Sequence, residues 1–146
     1  MSARAGLERY ARHDRLALRH KLALAAEILV THARVGRTLR GNDIRAAVAL
    51  LRAPAAGSDP PGAEAYAAGV RLGKAVTGVL GRPPLAPGCL RMSLVLCAML
   101  ARRGAESSVV IGVRATSSFG AHAWVELAGR PILPSSETEF ERLVAL

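Results

Sequence analysis

The segment that decides the fold begins with GCLRMSLVLCAMLARRG at residues 88–104 and continues with SSVVIGV at 107–113 and AHAWVEL at 121–127. In its first part, apolar residues recur at helical spacing up to Gly104, and glycine commonly caps the C-terminus of a helix. After Gly104 the pattern becomes that of strands, first a β-branched run and then an alternation between two faces. This change of period predicts an α+β fold.

The strands are predicted to form a small antiparallel meander. Alternation places His122, Trp124 and Glu126 on one face of their strand. Ala128 and Gly129 predict a hairpin turn, after which a short strand is expected over residues 130–133.

The chain before residue 88 is predicted to be helical. Apolar residues recur at helical spacing from 7 to about 35, which predicts one long amphipathic helix, with a single break left open. Asn42 or Asp43 can cap a short helix over 44–51, and a third helix is predicted over 63–80. Between these two helices, PAAGSDPPG at 54–62 is rich in helix-breaking residues and predicts a loop.

The length of 146 residues suits a single domain, 1–146, with a basic helical part at 1–62 and a second part at 63–146 that contains the segment quoted above. A hydrophobic fraction of 51% argues against intrinsic disorder, and two cysteines cannot staple a secreted scaffold. The most apolar stretch, 16–30, is too short and too charged to span a bilayer, and the first residues lack the order of a signal peptide. We therefore expect a cytoplasmic protein with no membrane span.

The net charge of +9 is concentrated near the N-terminus, where residues 1–52 hold 11 basic and 4 acidic side chains. Such a surface could bind nucleic acid, an anionic membrane surface or an acidic peptide, or it could be a solvated arginine-rich face. Tyr10 is the only aromatic residue before Tyr66, so this part lacks the aromatic side chains on which single-stranded nucleic acid stacks. No nucleic-acid partner is expected.

Cys89 follows Pro87 and Gly88 and is predicted in the first turn of its helix. There, the unpaired backbone N–H groups and the helix dipole favour the thiolate, which is the nucleophilic form of cysteine. The same N–H groups could bind the oxyanion that forms on an attacked carbonyl group. The alternative is a small buried cysteine at a helix start.

His122 is the histidine best placed to act with such a thiolate, because its two alanine neighbours leave room for another element to approach. A strand histidine that faces a helix beginning with cysteine can form a thiolate–imidazolium pair, and a structural histidine is the alternative. Cys97 is expected in the hydrophobic core. The cysteines and histidines do not cluster at metal-ligand spacing, so neither a metal nor a cofactor is expected.

Four stretches together resemble one family: residues 88–104, IGVR at 111–114, AHAWVE at 121–126 and GRP at 129–131. They are similar to the transglutaminase-like cysteine peptidases of lasso peptide biosynthesis, which cut the leader from a ribosomally made precursor. The resemblance covers about residues 66–146, and the N-terminal helices only in general character. It implies a papain-like or transglutaminase-like core with N-terminal helices, a cysteine-bearing helix and a small antiparallel sheet.

The resemblance also implies the catalytic roles. Cys89 would be the nucleophile, with its backbone N–H in the oxyanion hole, and His122 would be the general base and then the general acid. The chain contains no glutamine, which excludes a papain-type glutamine donor in that hole.

The third catalytic residue is where the chain departs from the family pattern. An acidic residue usually lies about twelve positions beyond the histidine, where this chain has Pro134. Counting back across the predicted hairpin places Ser135 opposite His122, and Glu137 shares that face if the strand continues. We therefore assign Glu137 to the triad, with a Cys–His dyad helped by Ser135 as the alternative. Glu126 is less suitable, because four residues along one strand separate it from His122 by roughly 13 Å.

The resemblance implies a precursor peptide as substrate, bound through its leader region. Some members of the family carry a leader-binding domain in front of the peptidase, but the first 60 or so residues here lack its strand-rich pattern. A separate leader-recognition protein is therefore expected as a partner, together with the macrocycle-forming cyclase. Two alternatives stay open: an acyltransferase or amidase on the same Cys–His core, and a non-catalytic basic interaction module.

Overall fold

The computed structural model describes residues 3–52, 62–114, 119–133 and 140–146, with side chains from residue 17 onward. In this part of the chain, helices come first and strands follow. The helices are α1 (Ala3–Gly41), α2 (Ile44–Leu51), α3 (Ala63–Leu80) and α4 (Cys89–Ala101). The strands are β1 (Ser107–Arg114), β2 (Gly120–Leu127), β3 (Arg130–Pro131) and β4 (Glu141–Ala145). This order and the single small sheet confirm the predicted α+β fold.

The helix bounds follow local sequence signals. α1 runs for 39 residues without the break that the sequence left open. Asp43 caps α2, because its carboxylate accepts a hydrogen bond from the Ala46 N–H at 2.8 Å. Gly104, just beyond α4, has a φ of +75°, the left-handed conformation that glycine adopts at a helix C-terminus. Among the described residues, no helix has the length and apolar composition needed to cross a bilayer.

The sheet has the strand order β3-β2-β1-β4, and each neighbouring pair is antiparallel. β1, β2 and β3 form the predicted meander. Their hairpin turn has φ values of 51° at Ala128 and 72° at Gly129, the two positive values that a type I′ turn requires. β3 ends at Pro131, two residues earlier than predicted, although the Ile132 N–H still donates to the Val125 carbonyl oxygen at 3.0 Å. The sequence pattern does not predict β4, which lies along the other edge of β1.

The hydrophobic core is built around α4. Every side chain from Ser93 to Leu100 is buried, which explains why this helix is apolar on all sides from Leu94 to Leu100. Cys97 is 2% exposed, as expected for a core residue, and it accepts a hydrogen bond from Ser107. Ser93 Oγ donates to the Ala123 carbonyl oxygen at 3.1 Å. This contact fixes the N-terminal half of α4 against β2, where the two candidate catalytic residues lie.

Candidate active site

Cys89 is the first residue of α4, as the sequence predicts, and its side chain is half-buried. The N-cap residue is Gly88, which provides no side-chain hydrogen bond to the first turn. The first intrahelical bond runs from the Met92 N–H to the Gly88 carbonyl oxygen at 3.2 Å. The N–H groups before Met92 therefore have no capping side chain from Gly88 and can donate to an anion beside the thiol.

His122 lies on β2, opposite Gly112 of β1, and is half-buried. Its ring stacks on Trp124, with 6.1 Å between the ring centroids and an interplanar angle of 22°. It also packs against Phe140, with 5.3 Å between centroids and an angle of 36°. Contacts with two aromatic rings restrict the orientations that the imidazole can adopt.

Cys89 and His122 line the same cavity, which has a volume of about 670 Å³. Four residues of α4 line it at positions i, i+3, i+4 and i+7, the spacing of one helix face: Cys89, Met92, Ser93 and Leu96. The other walls come from α3, β2 and the residues that follow β3. A candidate nucleophile and a candidate general base thus share a space that can admit part of a substrate.

Trp124 is held by the carboxylate of Glu126. The indole Nε1 donates to Oε1 at 3.0 Å, and Arg142 of β4 donates to Oε2 and forms an ion pair with it. Glu126 is 7% exposed, so its negative charge depends on these two partners in place of water. The sequence argues against Glu126 as a direct partner of His122. In the structure, Glu126 instead orients the Trp124 ring on which His122 stacks.

Gly112 leaves room for the Trp124 ring. A Cβ atom at position 112 would lie 2.8 Å from Cζ3 and 2.9 Å from Cη2 of the indole, and 3.0 Å from the Glu141 carbonyl oxygen. The glycine of the IGVR stretch therefore has a packing role beside His122, which no pattern in the sequence indicates.

Arg91 brings a positive charge to the first turn of α4, on the side where α1 packs. Its guanidinium carbon lies 4.0 Å from the position that a Cβ atom would take at Gly36. Burial, and then the charge of Arg91, lower the pKa of His32 on α1. The uncharged form of His32 is therefore favoured where α1 meets the start of α4.

Ser135 and Glu137, the candidates for the third catalytic position, lie outside the described residues, as does Pro134. The part of the chain that the structure describes contains no group of three or more histidine, cysteine or acidic residues placed to hold a metal ion. The sequence pattern does not identify Phe140 as a neighbour of His122 or α3 as a wall of the cavity. Nothing local marks these residues, because folding alone brings them to His122 and Cys89.

A family model described as the transglutaminase-like superfamily matches residues 2–145. No curated protein and no solved structure matches the chain significantly. The family match includes the N-terminal helices, to which the sequence resemblance extended only in general character. Cysteine-based catalysis is usual in this superfamily, and a helix that begins with cysteine beside a histidine-bearing strand agrees with it. The chain belongs to the transglutaminase-like superfamily.

Proposed function

We propose that this protein is a cysteine peptidase that removes the leader from a lasso peptide precursor. The observation that carries the proposal is that Cys89, at the N-terminus of α4, and His122, on β2, line one cavity. Membership of the superfamily supports cysteine chemistry, and the sequence resemblance supports the choice of substrate.

In the proposed reaction, the Cys89 thiolate attacks the carbonyl carbon at the junction of leader and core peptide, and the Cys89 N–H donates to the oxyanion. As the C–N bond breaks, the His122 imidazolium transfers its proton to the departing amine, which leaves a thioester on Cys89. Neutral His122 then accepts a proton from a water molecule, whose oxygen attacks the thioester. Breakage of the C–S bond releases the carboxylic acid and restores the thiolate–imidazolium pair.

Glu137 is the proposed third residue, which would accept a hydrogen bond from the second ring nitrogen of His122. A dyad helped by Ser135 is the alternative. Measurement of the cleavage rate of Glu137→Ala distinguishes the two, because a triad predicts a clear loss of rate. A normal rate would remove Glu137 from the mechanism.

A separate leader-recognition protein and the macrocycle-forming cyclase are the proposed partners. The described residues 3–52 form helices only, so this part provides no sheet edge on which a leader could add a strand. The basic surface of α1 could contact the recognition protein or an acidic part of the leader.

The decisive experiment is Cys89→Ala in a mixture of precursor and recognition protein, with the products identified by mass spectrometry. We expect cleavage to be lost. Cys97→Ala is the matched control, because it removes the other thiol of the same helix, and it should still cleave. Thermal unfolding of both variants tests whether they are folded. Leader cleavage by a folded Cys89→Ala protein would show that the nucleophile is another group.

An acyltransferase or amidase is the second candidate. It would form the same thioester on Cys89, so it agrees equally well with the superfamily match. Addition of a small primary amine to the cleavage mixture separates the two activities. A transferase gives the amide as the main product, whereas a peptidase gives the carboxylic acid. A non-catalytic basic module predicts instead binding that weakens with salt and is the same in Cys89→Ala.

A further inference from the structure

We infer that the cavity beside Cys89 is a specificity pocket for a bulky apolar side chain of the peptide substrate, a branched aliphatic or aromatic group close to the attacked carbonyl. The inference rests on the proposed function, because it takes Cys89 as the nucleophile. It adds the chemical class of side chain that the site selects.

The walls of this cavity are apolar. Met92 of α4 and Leu133 after β3 are half-buried and give it accessible apolar surface, and the rest of its apolar lining is buried, including Val76, Leu96, Val125 and Ile132. The volume of about 670 Å³ lies within the range of pockets that bind small molecules, and it exceeds what one leucine or phenylalanine side chain fills. A large apolar group would therefore fit and would leave water.

The buried hydrogen-bond donors of the wall already have partners. Ser93 Oγ donates to the Ala123 carbonyl oxygen at 3.1 Å, and Trp124 Nε1 donates to Glu126 at 3.0 Å. An amide or charged side chain placed against this wall would give up its hydrogen bonds to water without gaining these donors. The wall thus discriminates against polar side chains.

Apart from the half-buried Cys89 and His122, the cavity is lined by two exposed polar side chains of α3, Lys74 and Thr77. The positive charge of Lys74 further disfavours a lysine or arginine side chain in the pocket.

The close approach of α3 to the residues after β3 closes the cavity on that side, since a Cβ atom at Gly73 would lie 3.1 Å from Ile132 and 3.2 Å from Leu133.

Peptidyl chloromethyl ketones test the pocket, because their warhead alkylates the active thiol and their side chains can be varied. Two series place leucine, phenylalanine, asparagine, aspartate or lysine at the first or the second residue from the warhead. The rate of Cys89 modification is read by intact mass and divided by the rate with free glutathione. In at least one series we expect leucine or phenylalanine to react about tenfold or more faster than asparagine and lysine. Equal rates, or fastest reaction with aspartate, would overturn the inference.

Thr77→Trp places a large ring at the exposed side of the cavity, and Ala67→Trp, on an exposed position of α3 outside the lining, is the matched control. Thr77→Trp should lower the ratio of the leucine-probe rate to the iodoacetamide rate about tenfold. If both variants give the same ratio, the pocket does not hold the probe.

Different measurements test the proposed pocket and the proposed catalytic pair. An iodoacetamide reaction of Cys89 that is the same in wild type and in His122→Ala counts against the catalytic pair. Equal rates across the side-chain series count against the pocket alone.

Discussion

The indole Nε1 of Trp124 donates a 3.0 Å hydrogen bond to the carboxylate of Glu126, two residues further along β2. Arg142 of β4 binds the other oxygen of that carboxylate, so this contact ties together two strands that lie on either side of β1. Because His122 stacks on Trp124, the Glu126 carboxylate acts on the candidate general base through the indole ring. Glu126 and Arg142 are therefore positioning residues in the proposed mechanism.

We predict that Glu126→Gln lowers the free energy of unfolding by about 1–3 kcal/mol, because a buried, hydrogen-bonded charge is replaced by a neutral group that cannot accept from both partners. Urea unfolding followed by tryptophan fluorescence measures this, since Trp124 is the single tryptophan. The cleavage rate should fall as well. Glu106→Gln, at an exposed acidic position, is the control and should change stability by less than about 0.5 kcal/mol. Equal effects of the two substitutions would contradict the role of Glu126.

Gly112→Ala is expected to destabilise the protein by about 1–3 kcal/mol, because the added methyl group would overlap the packed Trp124 ring and the β4 backbone. Gly120→Ala is the matched control in the same sheet, because its Cβ atom would meet its nearest neighbour, Arg114, at an ordinary 3.5 Å. Thermal unfolding of the two variants is the measurement. If Gly112→Ala were as stable as Gly120→Ala, Trp124 would not be confined at that position.

Glu27 of α1 receives two hydrogen bonds from Arg103, at 3.0 and 2.8 Å. The hydrogen bond with Arg103, aided by the charges of Arg103 and Arg102, lowers the pKa of Glu27 against the opposing effect of burial. The folded protein therefore binds this proton less readily than the unfolded chain. The stabilisation is fully present above the ordinary value of 4.5 and is lost as pH falls through the lower, folded pKa.

We accordingly predict that Glu27→Gln costs about 0.3–1 kcal/mol near neutral pH, the size expected of a partly exposed ion pair. The difference from wild type should vanish at acid pH and shrink in high salt. Urea unfolding at several pH values measures it. A stability difference that grows as the pH is lowered would show that the assigned pair is not its source.

Arg52 forms hydrogen bonds with the first residue of β1 and with the residue that follows β4. Its Nη2 donates to the carbonyl oxygens of Ser107, at the start of β1, and of Leu146, just after β4, both at 2.6 Å. We predict that Arg52→Met, which keeps the apolar stem, costs about 1–3 kcal/mol because the carbonyl oxygens of the buried Ser107 and the half-buried Leu146 both lose a charged donor. Hydrogen exchange should quicken first in β4. Arg45→Met, on the exposed face of α2, is the control, and equal exchange in both variants would contradict this prediction.

Helices and turns could be predicted well because their signals lie within a few residues of one another. α3 has the predicted bounds, Asp43 caps α2, and Gly104 lies just beyond α4. The hairpin at Ala128–Gly129 likewise follows from turn chemistry. The division at residue 62 and the role of Glu137 stay predictions.

The strand β4 could not be predicted, because its residues Glu141–Ala145 lack the apolar alternation of a half-buried strand. It forms because β1 has a free edge, and that edge exists only in the folded sheet. A strand is stabilised by pairing with residues far away in sequence, so a local pattern carries little information about it.

The sequence by itself determined that a helix begins at Cys89, that His122 lies on a strand with Trp124, and that this pairing of residue types suits cysteine chemistry. Periodicity, caps and thiol chemistry are properties of neighbouring residues, so they can be predicted without the fold. Only the tertiary structure decided that Phe140 packs on His122, that Gly112 makes room for Trp124, and that α3 supplies a wall of the cavity. These contacts join residues remote in the chain, and packing of the helices on the sheet sets their distances.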